Sequence, residues 1–424
     1  MKRLLAGALA LLAASGTCHA NGAEEEAGLA LADSTPIEVV ETGSAQVSVE
    51  GALRWATNRP DSTTDPAQRL SIDLAFQRAF LPGWKFVFAD RLDLNGPARF
   101  VGDPAAINTL KEFYVSGRIG DGTVLADAGR INMRLGVATG FNPTDYFRED
   151  AVRSVVSVDP ASLRENRLGT VMARGQAVWS GGSVTALVAP RLADEKNDSN
   201  FAIDLGATNR RTQWLLAGTA RLVDNFSPQW LLYGNGREGD SPQLGWNATA
   251  LFNQACVGFF EWTGGRRSST LARALGRDGS DTAFRSQLAT GATCTASNNL
   301  SLTLEYDYNG AALDGKGWRE LQAGPPQVYA AYRAAVTAAQ EPATRNSVFA
   351  MIRWQNAFMP RLDLSGFMRF NVEDRSRLSW VEARYRFERT DLALQWQISS
   401  GAPLSEFGAM TQQRLWQVLL KHYF

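Results

Sequence analysis

Histidine is almost missing from this 424-residue chain, which has only His19 and His422. His19 falls in a segment that reads as a removable leader, so a Ser-His-Asp triad or a His-based metal site would have to be built on His422 alone. That residue is in phase with Leu420 and Phe424, a poor place for a general base. Enzyme activity is therefore not expected, and neither a cofactor nor a metal is called for. Cysteine is nearly as scarce, with Cys18, Cys256 and Cys294 the full set, which excludes a disulfide-rich scaffold. Charge of one sign is lacking too: 43 basic residues balance 43 acidic ones, giving no reason to expect nucleic acid. Finally, beyond the first twenty residues no run approaches the roughly eighteen apolar residues of a membrane helix.

What is present begins with Lys2 and Arg3, an apolar run from Leu4 to Ala14, and small residues ending at Ala20. The run is too short to span a bilayer, so residues 1–20 read as a cleaved signal peptide. Ser15-Gly16-Thr17 ahead of Cys18 fits a lipidation box poorly. Residues 21–44, with Glu24, Glu25 and Glu26, read as a short periplasmic lead.

From Ala45 to Phe424 one kind of segment recurs, ten to thirteen residues with apolar side chains at every second position. Period two means a strand with one face in oil and the other elsewhere. Leu70-Ser71-Ile72-Asp73-Leu74-Ala75-Phe76 shows it, as do the stretches from Leu300 to Tyr308 and from Leu392 to Ile398. About eighteen such segments are expected, sixteen being the alternative count, starting near Ala45, Gln68, Trp84, Ile107, Thr123, Thr170, Gly182, Arg211 and Pro228, and then near Gln243, Ala255, Ala283, Leu300, Ser347, Arg361, Arg377, Asp391 and Gln412. Their connections alternate between tight turns, such as Pro82-Gly83 and Gly181-Gly182, and longer loops, above all residues 136–168 and 310–345. Short periplasmic turns and long extracellular loops define an all-β, transmembrane, antiparallel up-and-down β-barrel. A soluble sandwich or propeller would have to hide every outward Leu, Phe and Trp in a core, with no repeat period to stack.

Trp84, Trp179 and Trp230 sit beside tight turns and Trp55, Trp246 and Trp262 near loops, as two interfacial aromatic bands would require. The last segment ends on Phe424, which resembles the signal read by the outer-membrane insertion machinery. Outer-membrane lipid, lipopolysaccharide and that machinery are the expected partners, and an oligomer is compatible with this reading.

If the apolar residues face lipid, the alternate residues face a lumen. Those include Glu50, Arg54, Asp73, Arg91, Asp93, Glu112, Arg118, Arg130, Arg134 and Arg174, then Arg221, Glu261, Arg285, Glu305, Asp307, Arg353, Asp363, Arg369, Glu382, Arg384 and Arg386. So many ionised groups at membrane depth need water or mutual pairing, hence a wet channel or, alternatively, a plugged barrel walled by paired charges. The loop 136–168 carries aromatics together with Arg148, Arg153, Arg164 and Arg167, and is expected to fold inward as a constriction; an exposed lid is the alternative. Asp159-Pro160 ahead of residues 161–166 reads as a capped helical turn within it. The expected constriction therefore comprises Arg130, Arg134, Arg148, Arg153, Arg164, Arg167 and Arg174 with Arg353, Arg369, Glu382, Arg384 and Arg386. By parity Cys256 and Cys294 point away from the lumen at neighbouring strand ends, where a cross-strand disulfide is expected unless both simply face lipid as small apolar residues.

Gly129-Arg130, Gly136, Asn142-Pro143 and Asp145 together resemble the strand-and-loop signature of alginate-export-type, substrate-specific outer-membrane barrels. That resemblance covers about forty residues and implies eighteen strands and a solute-handling lumen. The lining departs from it in lacking a dense single-signed Arg and Lys surface, which argues against polyanionic polysaccharide. The expected function is an outer-membrane porin for passive diffusion of small hydrophilic solutes, anions among them, with a substrate-specific exporter or importer, or a closed adhesin barrel, as alternatives.

Overall fold

The computed structural model describes residues 43–424, apart from 60, 101, 121 and 224–225. The leader and nearly all of the proposed periplasmic lead lie outside the described residues. Eighteen strands follow in sequence. The first six are β1 (Ser44–Asn58), β2 (Thr64–Leu81), β3 (Trp84–Asn95), β4 (Ala106–Ile119), β5 (Val124–Ile131) and β6 (Thr170–Trp179). Next come β7 (Gly182–Ala189), β8 (Gln213–Ala220), β9 (Gln229–Gly234), β10 (Gln243–Asn253), β11 (Cys256–Arg267) and β12 (Ala283–Thr295). The last six are β13 (Leu300–Asn309), β14 (Asn346–Trp354), β15 (Leu362–Asn371), β16 (Arg377–Arg386), β17 (Thr390–Ser400) and β18 (Gln412–Tyr423). Each pairs antiparallel with its sequence neighbours, and β1 pairs with both β2 and β18, so the sheet closes on itself and leaves no edge.

Alternation explains the wall. In β2, Arg69 and Ser71 are buried inside while Leu70 and Leu74 are exposed outside; in β17, Gln395 and Gln397 are inside while Leu392 and Leu394 are outside. The expected strand starts agree with the observed ones within a few residues. The largest difference is β2, which begins at Thr64 because the backbone ladder with β1 runs on past the last clear apolar alternation. Trp84 and Trp179 are exposed next to tight turns, and Trp55 near a loop. Trp230 departs from the two-band expectation, for it lies in one cross-strand row with Trp246 and Trp262. The short β9 aligns with the loop-side part of β10, so a residue next to a turn in sequence is carried up the wall.

The loop ends carry the helices: α1 (Pro160–Glu165), α2 (Leu205–Thr208), α3 (Thr270–Ala274), α4 (Gly315–Ala323) and α5 (Pro326–Ala339). The last two belong to the long connection after β13 and pack around buried Trp318 and Tyr332. At the opposite end Cys256 and Cys294 are register partners of β11 and β12 and are joined as a disulfide.

Candidate functional site

β5 stops at Ile131 while β4 beside it runs on to Ala106, and the chain turns into the barrel rather than over it. Gly136 makes that turn with φ +95°, and a Cβ there would lie 2.5 Å from the Glu261 carboxylate, so only glycine fits. Glu261 projects inward from β11 and is fully buried. It accepts the backbone N–H groups of Val137 (2.8 Å), Ala138 (3.0 Å) and Thr144 (2.7 Å), and lies 2.9 Å from the Thr144 hydroxyl. Glu305, inward from β13, accepts the N–H groups of Thr139 (2.8 Å), Gly140 (3.0 Å) and Phe141 (2.8 Å). Two wall carboxylates thus hold consecutive amides of one loop by charge-assisted hydrogen bonds. Arg369 on β15 completes the attachment by donating to the Gly140 carbonyl at 2.6 Å.

Apolar contact secures the loop on another side. Met133, Leu135 and Phe147 pack on the inward faces of β6 to β9, against Met172, Leu187, Leu215, Leu231 and Tyr233. Tyr146 stacks on Tyr233 with ring centroids 4.1 Å apart. The loop then returns across the lumen, where the Val156 carbonyl accepts from Gln417 Nε2 at 3.3 Å. Asp159 caps α1 by accepting the Ser162 N–H at 3.0 Å, as the Asp-Pro signature predicts, and stands 4.0 Å from Arg353 of β14. The expectation of an inward loop holds, and the exposed-lid alternative does not.

Several arginines expected in the constriction instead hold the loop together. Arg167 is buried and makes a forked pair with Asp145 (2.8 and 3.0 Å) while bonding the Asn132 side chain at 2.9 Å and the Met133 carbonyl at 2.5 Å. Burial alone would push the Asp145 carboxyl up, but Arg167 and Arg164 beside it hold it below the usual carboxylate range. Arg148 is buried over the Phe141 ring, donates to the Asn142 and Ala339 carbonyls, and lies 3.5 Å from Glu341. Glu341 follows α5 and also receives Arg267 (3.3 Å) and Arg273 (3.2 Å). These cations overcome its burial and hold its pKa low, so the two long loops share one buried carboxylate. Arg153 donates to the carbonyls of Asn108 (2.9 Å), Ala202 (2.5 Å) and Ser199 (2.8 Å), stitching the loop after β7 to β4 where β5 has ended.

Arg130 is a correction. It pairs across the ladder with Phe113, an exposed outer residue, so its side chain leaves the wall on the lipid side and donates to the Ile203 carbonyl at 2.5 Å. Counting from inward Asp127 puts Gly129 and Ile131 inside and Arg130 outside. The cost of a lipid-facing guanidinium is avoided because the loop after β7 covers it.

The remaining lumen charges divide into paired and open. Arg91 contacts Glu50 (3.1 Å), Asp73 (2.5 Å) and Asp93 (3.0 Å), with Arg69 and Lys111 joining the same cluster. Arg174 meets Asp127 at 2.6 Å, and Arg384 meets Glu382 and Asp391 at 2.9 and 3.2 Å. Arg164 donates to the Leu135 carbonyl at 2.8 Å. Arg353 and Arg386 keep side chains that are 51% and 58% exposed although Arg353 has Asp159 at 4.0 Å, and Arg134 is exposed with no ion pair among the described residues. Arg386 is still tied to Asp363 at 2.5 Å.

Sequence reasoning placed Glu261 and Glu305 inward but gave them no role. A signal was available: their ladder partners are Asn247 and Ala289 for Glu261, and Gly291 and Phe349 for Glu305. An inward acid with no base across either strand must find its donors elsewhere, here in the loop.

The same architecture occurs in solved structures. OccAB1 of Acinetobacter baumannii shares 9% identity at a TM-score of 0.57, over 90% of this chain and 96% of that one. A BenF-like porin from Pseudomonas fluorescens shares 8% at 0.57, over 91% and 99%. OpdL of Pseudomonas aeruginosa shares 11% at 0.56, over 90% and 98%. No protein-family model matches the chain, and no curated protein matches it. At these identities the likeness is one of fold, and the class it defines is an eighteen-stranded antiparallel barrel with loops gathered at one end.

Proposed function

We propose that this chain is an outer-membrane porin for passive diffusion of small hydrophilic solutes, with a modest preference for anions. The observation that carries the reading is the loop 132–169, drawn into a closed barrel, fastened to β11, β13 and β15 by Glu261, Glu305 and Arg369 and packed by Met133, Leu135 and Phe147 on β6 to β9. A barrel that serves only as a membrane anchor has no use for a fastened internal partition, whereas a diffusion channel uses one to set its bore. The lipid-facing Leu, Phe and Trp surface supports membrane embedding, and the open Arg134, Arg353 and Arg386 against an otherwise paired lining support the anion preference. Export to the outer membrane rests on the leader at residues 1–20, and insertion on Phe424.

Reconstitution in planar bilayers tests this directly. Discrete, ohmic conductance steps are expected, with a reversal potential in a salt gradient that favours chloride over potassium. Folded barrels that insert but never conduct would establish the closed, adhesin-type alternative.

A further inference from the structure

Arg377 and Arg414 stand on the lipid side of the wall and take no part in the lumen. On β16, Leu378 and Trp380 are buried inside, so Arg377 points outward; on β18, Gln417 and Leu419 are inside, so Arg414 shares the outer face with Trp416 and Leu420. Both arginines are exposed, and neither has an ion pair or a side-chain hydrogen bond among the described residues; exposed Arg375, in the turn between β15 and β16, has none either. Their depth follows from the turn side. Arg377 is ten positions from exposed Phe387, just past β16, and Arg414 ten from exposed Phe424, just past β18. Ten residues of a strand tilted by about 40° rise about 26 Å, against an apolar band about 25 Å tall, so both guanidiniums stand at its outer edge. Trp55, Trp416 and Trp396 make one cross-strand row just below Arg414 and mark the same boundary.

Between them β17 presents Ser400 opposite Arg377 and Ile398 opposite Arg414. Two strand spacings and a two-residue stagger put the two Cα atoms about 12 Å apart, within the combined reach of two Arg side chains. No acid competes for them. Glu382 and Asp391, the acids of these strands, turn inward to Arg384, and Glu373 and Asp374 of the adjoining turn are held by Asn346 (2.6 Å) and Trp318 Nε1 (3.0 Å). The loop from β17 to β18 leaves them bare, since it folds inward with Phe407 packed among Phe349, Phe367 and Trp380. We propose that this face holds a phosphorylated glycolipid of the outer leaflet, its phosphates on Arg377 and Arg414 and its acyl chains along the Trp row. Planar guanidiniums pair phosphate oxygens two at a time, and clustered cations at a membrane surface select anionic over neutral headgroups. Free inorganic phosphate brings no acyl chain to lie on Trp396 and Trp416, so a lipid is the occupant.

This inference rests on the outer-membrane reading, and the experiment separates the two. The folded barrel in mild detergent, free of divalent cations, is titrated with lipid A carrying both phosphates and with its dephosphorylated form, and bound lipid is read by native mass spectrometry. The parent is expected to hold the phosphorylated lipid, and excess inorganic phosphate should not displace it. Arg377→Ser with Arg414→Ser should weaken that binding roughly thirtyfold. Arg78→Ser, an equally exposed arginine at the turn end of β2, should leave it unchanged. Equal binding of the two lipids by the parent, a comparison that needs no variant, would overturn the site while the folded barrel stands. So would a double-Ser variant that binds like its parent, an Arg78→Ser variant that loses as much, or displacement by inorganic phosphate. Absence of heat-modifiable gel mobility in the parent would overturn the membrane reading, and the lipid site with it.

Discussion

Glu261 and Glu305 are buried and each gathers three backbone N–H groups, and at the scale of a residue this is where the loop is held. An amide in place of the carboxylate removes the charge and puts an N–H₂ where donors already point. Glu305→Gln is expected to destabilise the folded barrel by about 3 kcal/mol, read by urea unfolding, and to make single-channel current noisier as residues 139–141 come free. Unchanged noise and stability would show that Arg369 and the apolar shelf suffice. Asp145 and Glu341 add a pH dependence. Their pKa values are depressed in the fold, so their contribution is complete above the ordinary carboxylate pKa of about 4 and is lost as pH falls through the lower folded values. The struts that these two carboxylates form should therefore be intact from pH 8 to about 5, so that Asp145→Asn changes the bore across that range and not only below about pH 4. An Asp145→Asn variant indistinguishable from the parent between pH 8 and 5 would contradict this assignment.

Among the elements, α1 shows how a local signal and a tertiary setting combine. Its cap at Asp159 and its Pro160 start are readable in five residues, yet its position beside Arg353 depends on a strand nearly two hundred residues away. Asp159→Ala is expected to cost about 1 kcal/mol through the lost cap and to make residues 157–166 the first cut in limited proteolysis of reconstituted protein. At the turn end, Cys256 and Cys294 should resist alkylation in unfolded, unreduced protein; labelling of both, mapped by peptide mass, would reject the disulfide. Strand parity made Arg353, Arg384 and Arg386 legible as luminal. Counted from inward Asp127, the same parity puts Arg130 on the outer face.

For the whole molecule, the question is which charges reach a passing ion. Most luminal charge is spent on pairs across strands, and the open remainder is Arg134 and Arg353, with Arg386 half-committed to Asp363. Replacing Arg134 and Arg353 together by Ser should abolish the chloride preference, whereas Arg130→Ser should leave it intact because that side chain is outside the wall. A shift on Arg130→Ser alone would mean the lining is drawn wrongly. The period-two alternation by itself determined the strand set, its even number, the lipid face and the turn ends, because a strand's two faces and its pairing with the next strand are local properties of consecutive residues. Only the tertiary structure decided that the long loop crosses the lumen, that two wall glutamates fasten it, and which arginines become struts. Those outcomes depend on groups meeting across the barrel's interior, and closure alone brings residues 137–144 within hydrogen-bonding distance of Glu261 and Glu305.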